Sequence, residues 1–357
     1  MRILYITEAT GWTGGANQIW LTSQELVRRG HQIGVALRPE GDLAHRLQKA
    51  NIPIFPLRIR QDYDLLSAFK LTQIARNFQA GLFHAHHPQS HAMGLLARHL
   101  GSPIPLIVTR RVIYPIRTNP FSAFKYRSQK ISHYIAVCQK TAEELITAGI
   151  EKDRVSVIPS AVEMQRWNPL NSRHPKNHSP LVTLVAHYSP IKGHEIFLQA
   201  AAHVLESIPQ TTFRLVGRDT EKLKEMARHL GILPHVEILG ERLDIPELLS
   251  QTHLYVMPSL MEGIGTSLIE AQAARVPVIA SHVGGLPDVV IPNETGILVP
   301  PGNSEALAKA IVRLLQNPKE AEQMAQKGYE RVQKKFSLPA VVDQLEALYA
   351  SVLGSKF

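Results

Sequence analysis

Short apolar runs alternate with helical stretches along almost the whole chain, and this alternation most restricts its fold. Apolar runs of roughly four to eight residues that end in turns are typical of strands in a parallel sheet, and amphipathic stretches between them are typical of the connecting helices. Two segments, residues 2–29 and 181–206, begin such a series in the same way, with a strand, a glycine-containing loop and a helix. We therefore predict an α/β protein with two doubly wound domains.

The segment 171–180 (NSRHPKNHSP) has no large apolar residue and fits a linker between these domains. It predicts a first domain over residues 1–172, a second over 179–336 and a C-terminal segment over 337–357. A chain of 357 residues is long enough for two domains that each have a core.

Positive charge is concentrated in the first half of the chain. Residues 1–170 contain 21 Lys and Arg against 11 Asp and Glu, and no acidic residue occurs between positions 65 and 142. A basic face of this extent favours an anionic membrane or a phosphorylated acceptor as partner. A solvated surface that aids solubility is the alternative. No nucleic-acid motif accompanies the charge, so we expect no nucleic acid.

Cysteine content and hydropathy favour a cytoplasmic protein. Cys138 is the single cysteine, which excludes an intrachain disulfide. The apolar start of the chain turns polar at Thr7 and is too short for a secretory signal, and no apolar stretch has the length of a membrane-spanning helix.

The segment 257–285 (MPSLMEGIGTSLIEAQAARVPVIASHVGG) carries the most chemical information. An apolar run, a turn with two glycines and a stretch of helix formers follow one another in it. A strand, a turn and a helix N-terminus direct backbone N–H groups and a positive dipole end at a ligand, which suits a diphosphate. Glu262 and Glu270 suit the hydroxyls of a sugar or a ribose.

This segment resembles the E-x7-E signature of retaining glycosyltransferases of family 4, with Ile264 where phenylalanine is common. Further motifs extend the resemblance over nearly the whole chain. It implies the GT-B architecture, in which two facing Rossmann-like domains hold the substrates in a cleft and close on the donor. It also implies that a terminal helix, roughly residues 338–353, returns to the first domain.

The resemblance assigns most of the donor site to the second domain. It implies that Glu262 faces the hydroxyls of the donor sugar and that Glu270 binds the ribose. Lys192, in HYSPIKG, matches the lysine that holds the donor phosphates, whereas His187 replaces an arginine. This exchange implies weaker stabilisation of the leaving group or protonation of His187 beside the phosphate. The other predicted donor contacts are turn residues and two possible contacts to the base: Gly14, Gly15, Gly217, Arg242, Leu243, Gly263, Ile264, Gly265 and Thr266.

The run HAHHPQSH, residues 84–91, has the residue type of a metal site but lacks an accompanying carboxylate or thiolate, so we expect no metal. Its start resembles the (I/V)-H-x-H motif of the family. That resemblance implies that His86 lies near the donor sugar and the acceptor hydroxyl. His84 is expected to be a hydrogen-bonded internal residue.

The expected reaction is a metal-independent, retaining hexosyl transfer from a nucleotide-diphosphate sugar, with a UDP-sugar as the first choice and no cofactor. The expected acceptor is a hydroxyl of a lipid-linked or phosphorylated glycan, as in lipopolysaccharide or polysaccharide biosynthesis at the inner face of the cytoplasmic membrane. His86, Lys192 and Glu262 are the candidate catalytic residues, with a covalent route through Glu262 as the minor option. The alternatives are a non-hydrolysing sugar-nucleotide epimerase and a non-catalytic GT-B protein that binds a membrane or a partner through its basic face.

Overall fold

The computed structural model describes residues 1–116, 120–167 and 179–354, which form two compact units. Unit 1 comprises Met1–Ala161 and Leu338–Phe357, and unit 2 comprises Val162–Ser337. The units therefore divide at Ala161, before the predicted boundary at residue 172. Residue 172 and most of the predicted linker lie outside the described residues.

Unit 1 contains a sheet of seven parallel strands. Its strands are β1 (Arg2–Ile6), β2 (Gln32–Leu37), β3 (Ile54–Pro56), β4 (Leu82–Ala85), β5 (Leu106–Arg110), β6 (His133–Ala136) and β7 (Val155–Val157). Its helices are α1 (Gly14–Arg28), α2 (Asp42–Lys49), α3 (Leu65–Phe78), α4 (Pro88–His99), α5 (Pro120–Arg127), α6 (Gln139–Thr147) and, from the C-terminal segment, the helix Leu338–Leu353. The strand order is β3-β2-β1-β4-β5-β6-β7.

Both faces of this sheet are covered, because alternate residues of a strand point to opposite sides. Ile3 and Tyr5 of β1 belong to a core with α1, α2 and the terminal helix. Leu4 and Ile6 belong to a second core with α3, α4 and α6. The continuous apolar runs of the sequence thus correspond to strands that are buried on both sides.

Unit 2 contains a sheet of six parallel strands. Its strands are β8 (Leu181–Val185), β9 (Thr212–Val216), β10 (Val236–Ile238), β11 (Leu254–Met257), β12 (Val278–Ser281) and β13 (Ile297–Val299). Its helices are α7 (Met164–Trp167), α8 (His194–Ser207), α9 (Lys224–His229), α10 (Ile245–Ser250), α11 (Thr266–Ala273), α12 (Leu286–Val289), α13 (Ser304–Gln316) and α14 (Pro318–Lys335). The strand order is β10-β9-β8-β11-β12-β13. The terminal helix of unit 1 is α15.

The α/β prediction is confirmed by these two parallel sheets with flanking helices. The sequence analysis did not identify β3, β7 and β13 as strands. Each has three residues and lies at an edge of its sheet, so none produces the longer apolar run that identifies an inner strand.

In each sheet, successive strands are added first toward one edge and then, after one crossover, toward the other edge. In unit 1 this reversal of direction lies between β1 and β4, and in unit 2 between β8 and β11. Ligands of doubly wound sheets bind outside the carboxyl ends of the strands at such a switch point. The loops that follow these four strands are therefore the places to look for a site.

Within the described residues, no helix has both the length and the apolar character needed to cross a bilayer.

Candidate active site

An ion pair marks the switch point of unit 2. Lys192 lies in a short 3-10 turn after β8, and Glu262 lies in the loop after β11. The ammonium group of Lys192 donates to Oε2 of Glu262 at 2.6 Å, and the second carboxylate oxygen accepts from the backbone N–H of Gly263 at 3.1 Å. Both side chains are partly exposed, so a ligand can reach the cation and the carboxylate together.

Close backbone contacts fix the two loops that carry this pair. Gly193, which follows Lys192, has a left-handed φ of 71°, and a Cβ there would lie 2.0 Å from the carbonyl oxygen of Pro258. The carbonyl oxygen of Ile191 accepts from the N–H of Leu260 at 2.8 Å. A side chain at position 193 would separate the loops, so only glycine fits.

The glycine turn predicted before α11 is present. Gly265 is the N-cap of this helix, with a φ of 68°, and Thr266 is its first residue. A Cβ at Gly265 would lie 2.7 Å from Leu286, and Ile264 is buried beside it. The turn thus places the unpaired N–H groups of the first turn of α11 at the carboxyl edge of the sheet, where an anion would bind.

Glu270 lies in the second turn of α11 and is partly buried. Burial raises the pKa of its carboxyl group to about 7, and the charge of Arg166 opposes this shift. Its carboxylate makes no hydrogen bond to the described part of the chain, which leaves it available for a ligand hydroxyl. Sequence reasoning missed Arg166, because no motif links this exposed residue of α7 to a helix more than a hundred positions later.

His187 is held by the backbone of the next loop. Its Nδ1 accepts a hydrogen bond from the N–H of Arg218 at 3.0 Å, so Nε2 is the ring nitrogen left for a ligand. Weaker stabilisation of the leaving group and protonation of His187 beside the phosphate both stay predictions. Gly217 allows the loops to approach, since a Cβ there would lie 2.0 Å from the carbonyl oxygen of Ala186.

The two predicted base contacts lie in the loop after the edge strand β10. Arg242 Nε donates to Asp244 at 2.8 Å, and Leu243 is 82% exposed. The N–H of Gly217 donates to the carbonyl oxygen of Gly240 at 2.7 Å, so this loop is joined to the loop after β9. The contacts with a base stay a prediction.

Gly14 and Gly15 lie at the switch point of unit 1 but not in the loop where the sequence analysis placed them. They are the first two residues of α1, because Thr13 caps this helix by accepting from the N–H of Ala16 at 3.2 Å. A Cβ at Gly15 would lie 3.0 Å from Nε2 of His87. The pair therefore lets a helix N-terminus approach the residues that follow β4.

His84 and His86 are both buried, with different surroundings. His84 Nδ1 is 2.7 Å from the hydroxyl of Tyr349, and its Nε2 is 2.6 Å from Thr109 Oγ1, so it is the hydrogen-bonded internal residue that was expected. The ring of His86 lies against that of His84, tilted by 33° with centroids 4.0 Å apart, and neither of its ring nitrogens has a partner in the described residues. Burial, assisted by His84 and Arg111, lowers the pKa of His86 well below its ordinary value. The ring is therefore neutral, with one donor and one acceptor unused.

Arg111 is a residue that the sequence reasoning did not single out for the site. Burial lowers the pKa of its guanidinium to about 10, and Nη1 donates to Ser160 Oγ at 3.3 Å. It has no carboxylate partner among the described residues. With His84 and His86 it lines a cavity of about 20 Å³, which is room for about one water molecule. The only signal in the sequence was the absence of acidic residues around it.

No group of three His, Cys, Asp or Glu side chains in the described residues is arranged to hold a metal ion.

Comparisons with known proteins decide the family. The model of Glycosyltransferase Family 4 matches residues 12–166, and the model of Glycosyl transferases group 1 matches residues 167–331. Together they account for nearly the whole chain.

The chain belongs to glycosyltransferase family 4.

Its relatives include a D-inositol 3-phosphate glycosyltransferase of Corynebacterium glutamicum, which is 27% identical over 97% of this chain and 94% of its own length. A galactosyltransferase of Escherichia coli that acts on GlcNAc-diphosphoundecaprenol with UDP-Gal is 23% identical over 82% of this chain and 81% of its own length. The solved structure of HepE from Anabaena in complex with UDP has a TM-score of 0.87, at 23% identity over 98% of this chain and 100% of that one. This likeness shows the fold, which is GT-B.

Proposed function

We propose that this glycosyltransferase moves a hexose, with retention of configuration and without a metal, from a UDP-sugar to a hydroxyl of a phosphorylated or lipid-linked glycan. Unit 2 binds the donor in this proposal. UDP as the nucleotide is supported by the UDP that HepE binds and by the UDP-Gal of the E. coli relative. The acceptor class is supported by the inositol phosphate and diphosphoundecaprenol of the two relatives.

The observation that carries the proposal is the ion pair of Lys192 and Glu262 at the switch point between β8 and β11. A diphosphate beside Lys192 competes with Glu262 for the ammonium group. Glu262 is then free to accept from hydroxyls of the sugar attached to that diphosphate. One contact thus offers the two chemical groups that a nucleotide-sugar donor requires, a cation for the phosphates and a carboxylate for the sugar.

In the proposed reaction the bond between the anomeric carbon and the β-phosphate oxygen breaks. The acceptor oxygen forms its bond on the same face, and its proton passes to the leaving phosphate. Lys192, the N–H groups of the first turn of α11 and the Nε2–H of His187 stabilise the charge that develops on the diphosphate. Glu270 binds the ribose, and His86 stays a predicted contact of the transferred sugar and the acceptor. No side chain acts as a nucleophile.

We place the acceptor on the basic unit 1, where Arg111 lacks a carboxylate partner in the described residues. A partly buried guanidinium without an anion is unfavourable, so a phosphate of the acceptor would stabilise it. We propose that the enzyme acts at the cytoplasmic face of a membrane, in the synthesis of lipopolysaccharide or another envelope polysaccharide.

The test is thermal unfolding of the purified protein with UDP, GDP, ADP and CMP, for the wild type and for Glu270→Ala. A nucleotide at about 100 times its dissociation constant adds about 2.7 kcal/mol, which shifts the melting temperature of unit 2 visibly. We expect UDP to give the largest shift, and we expect the shift to vanish in Glu270→Ala.

If no nucleotide shifts the melting temperature of the folded protein, the donor site is not functional and the proposal fails. A shift of equal size in Glu270→Ala would retain the nucleotide site and remove Glu270 from it. Retention is tested separately by NMR of the sugar released from the donor, which we expect to appear first as the anomer present in the donor.

A further inference from the structure

The first turn of α3 exposes large apolar side chains that no described part of the chain covers. Leu66 is 85% exposed, Leu65 is 59% exposed and Phe69 is 57% exposed. The same helix buries Ser67, Ala68, Leu71 and Ala75 against unit 1. The packing of α3 is therefore complete without the three exposed residues, and contiguous exposed apolar side chains mark a contact surface.

A second exposed apolar group lies on α5. Phe124 is 55% exposed and stacks on the ring of His99, at the end of α4, with centroids 5.1 Å apart. Lys125, the next residue, donates to Asp62 at 2.7 Å, just before α3 begins. This ion pair joins α5 to the start of α3, so the two exposed groups belong to one side of unit 1.

Cations continue this surface along α3. Lys70 and Arg76 are exposed; Lys70 follows Leu66 by four residues and Arg76 follows Phe69 by seven, spacings that place each pair on one helix face. The nearby acidic groups are engaged, since Asp62 pairs with Lys125 and Asp64 caps α3 by accepting from the N–H of Ser67. The surface is thus apolar at one end and positively charged at the other.

We propose that this α3–α5 surface, defined by Leu65, Leu66, Phe69, Phe124, Lys70 and Arg76, docks the protein on a bilayer that contains anionic phospholipids. Apolar side chains on a projecting helix turn enter the boundary between head groups and acyl chains, and flanking Lys and Arg side chains bind the lipid phosphates. Three arguments favour a bilayer over a protein partner. The apolar residues project from a helix, the charged residues of α3 are all cations, and the acid-free stretch extends through both helices.

This inference extends the proposed function, because it supplies the surface by which the enzyme reaches an acceptor at the membrane. It depends on different residues from the donor site. All six residues belong to unit 1, and none is among the proposed contacts of the nucleotide, the sugar or the acceptor phosphate.

The test is co-sedimentation of the full chain with vesicles of phosphatidylcholine, alone or mixed with phosphatidylglycerol. We expect binding to the mixed vesicles that weakens as salt is added.

The triple variant Leu65→Ser, Leu66→Ser, Phe69→Ser should lose about tenfold or more of this affinity. Lys70→Gln with Arg76→Gln should lose several-fold and reduce the dependence on salt. Val27→Ser is the matched control, because Val27 is 42% exposed on α1, against the opposite face of the sheet, and it should bind as the wild type does.

A fluorophore on Leu66→Cys reports insertion independently of affinity. Its emission should shift to the blue with mixed vesicles, whereas the same label on Val27→Cys should not respond. Cys138 is buried, so labelling is directed to the new thiol.

The inference is overturned if the wild type does not bind mixed vesicles or if the triple variant binds them as tightly as the wild type does. It is also overturned if the wild type self-associates without lipid and the triple variant does not. The thermal shift with UDP separates this result from the proposed function. A triple variant that keeps the UDP shift and loses vesicle binding supports the docking surface. Vesicle binding without any nucleotide shift would leave the docking surface intact and remove the proposed function.

Discussion

Glu270, the proposed contact of the ribose, has a cost in stability. Its carboxyl group has a pKa of about 7 in the folded protein because burial disfavours the charged form. The unfolded chain ionises this group near pH 4.5, so the folded state holds a proton that the unfolded state has lost between about pH 4.5 and 7. The free energy of unfolding therefore falls as the pH rises through this window, and the full cost is present above pH 7.

Glu270→Gln should remove that cost. At pH 8 we expect unit 2 to gain about 2 kcal/mol of stability, and at pH 4.5 we expect no difference from the wild type. Affinity for UDP should fall because the amide is a weaker acceptor for the ribose hydroxyls. Chemical denaturation at both pH values measures the gain, with the exposed Glu241→Gln as control. A gain that is equal at both pH values would show that ionisation of Glu270 is not its cause.

Lys192 should contribute to the binding of phosphates and not to that of the nucleoside. Lys192→Ala removes the ammonium group that lies 2.6 Å from Glu262. We expect affinity for UDP to fall about 10- to 100-fold, as for a lost charge-assisted contact, and affinity for uridine to stay unchanged. Titration calorimetry with both ligands measures the difference, and Lys309→Ala, exposed on α13, serves as control. Equal losses for UDP and uridine would indicate a disturbed fold instead.

Residue-scale contacts were only partly predictable from the sequence. Lys192 and Glu262 each belong to a recognisable motif, but their mutual contact joins positions 70 residues apart and depends on the order of strands in the sheet. The bond between His84 and Tyr349 spans 265 positions and has no motif at all. Arg166 and Arg111 were missed for the same reason, since burial and charge environment appear only when distant segments meet.

At the scale of elements, the position of the loop between β8 and α8 depends on its close backbone contact with the end of β11. Gly193 and Gly231 have nearly the same left-handed φ, 71° and 72°, but very different surroundings. A Cβ at Gly193 would lie 2.0 Å from the carbonyl oxygen of Pro258, whereas a Cβ at Gly231 would meet nothing within 4 Å. The two positions therefore separate backbone strain from steric overlap.

Gly231→Ala should cost only the strain of a left-handed residue, about 1–2 kcal/mol. Gly193→Ala adds an overlap that neither backbone can relieve without separating the loops, so we expect a loss of about 3 kcal/mol or more and a weaker affinity for UDP. Urea denaturation and UDP titration of both variants provide the measurement. Similar losses of stability and full UDP affinity in both would show that the loops tolerate separation.

Elements were predictable where one residue pattern suffices. The inner strands and α11 follow from apolar runs, glycine turns and helix formers that lie within single segments. The start of α1 was misplaced because Thr13 caps the helix before the two glycines, residues that ordinarily indicate a loop. The edge strands β3, β7 and β13 were missed because segments of three residues are too short to show a period.

At the scale of the whole molecule, chain order and unit membership differ at the C-terminus. The helix α15 follows unit 2 in sequence but belongs to unit 1, where it contributes five buried residues to the core on the α1 side: Val341, Val342, Leu345, Leu348 and Tyr349. The hydroxyl of Tyr349 also contacts Tyr5 at 3.1 Å and His84 at 2.7 Å. Unit 1 is therefore assembled only after the last helix has been made.

Truncation after Ser337 should consequently unfold unit 1 and spare unit 2. Burying an apolar side chain is worth about 1.5–3 kcal/mol, so the five buried residues of α15 together match the whole stability of an ordinary domain, about 5–15 kcal/mol. Hydrogen exchange should show loss of protection in β1 and α1, whereas β8 and β11 stay protected and gain further protection with UDP. Truncation after Leu353, which keeps all five side chains, should leave both units protected. Protection of β1 that survives removal of α15 would mean that unit 1 folds without the helix, and equal loss in both units would mean that they do not fold separately.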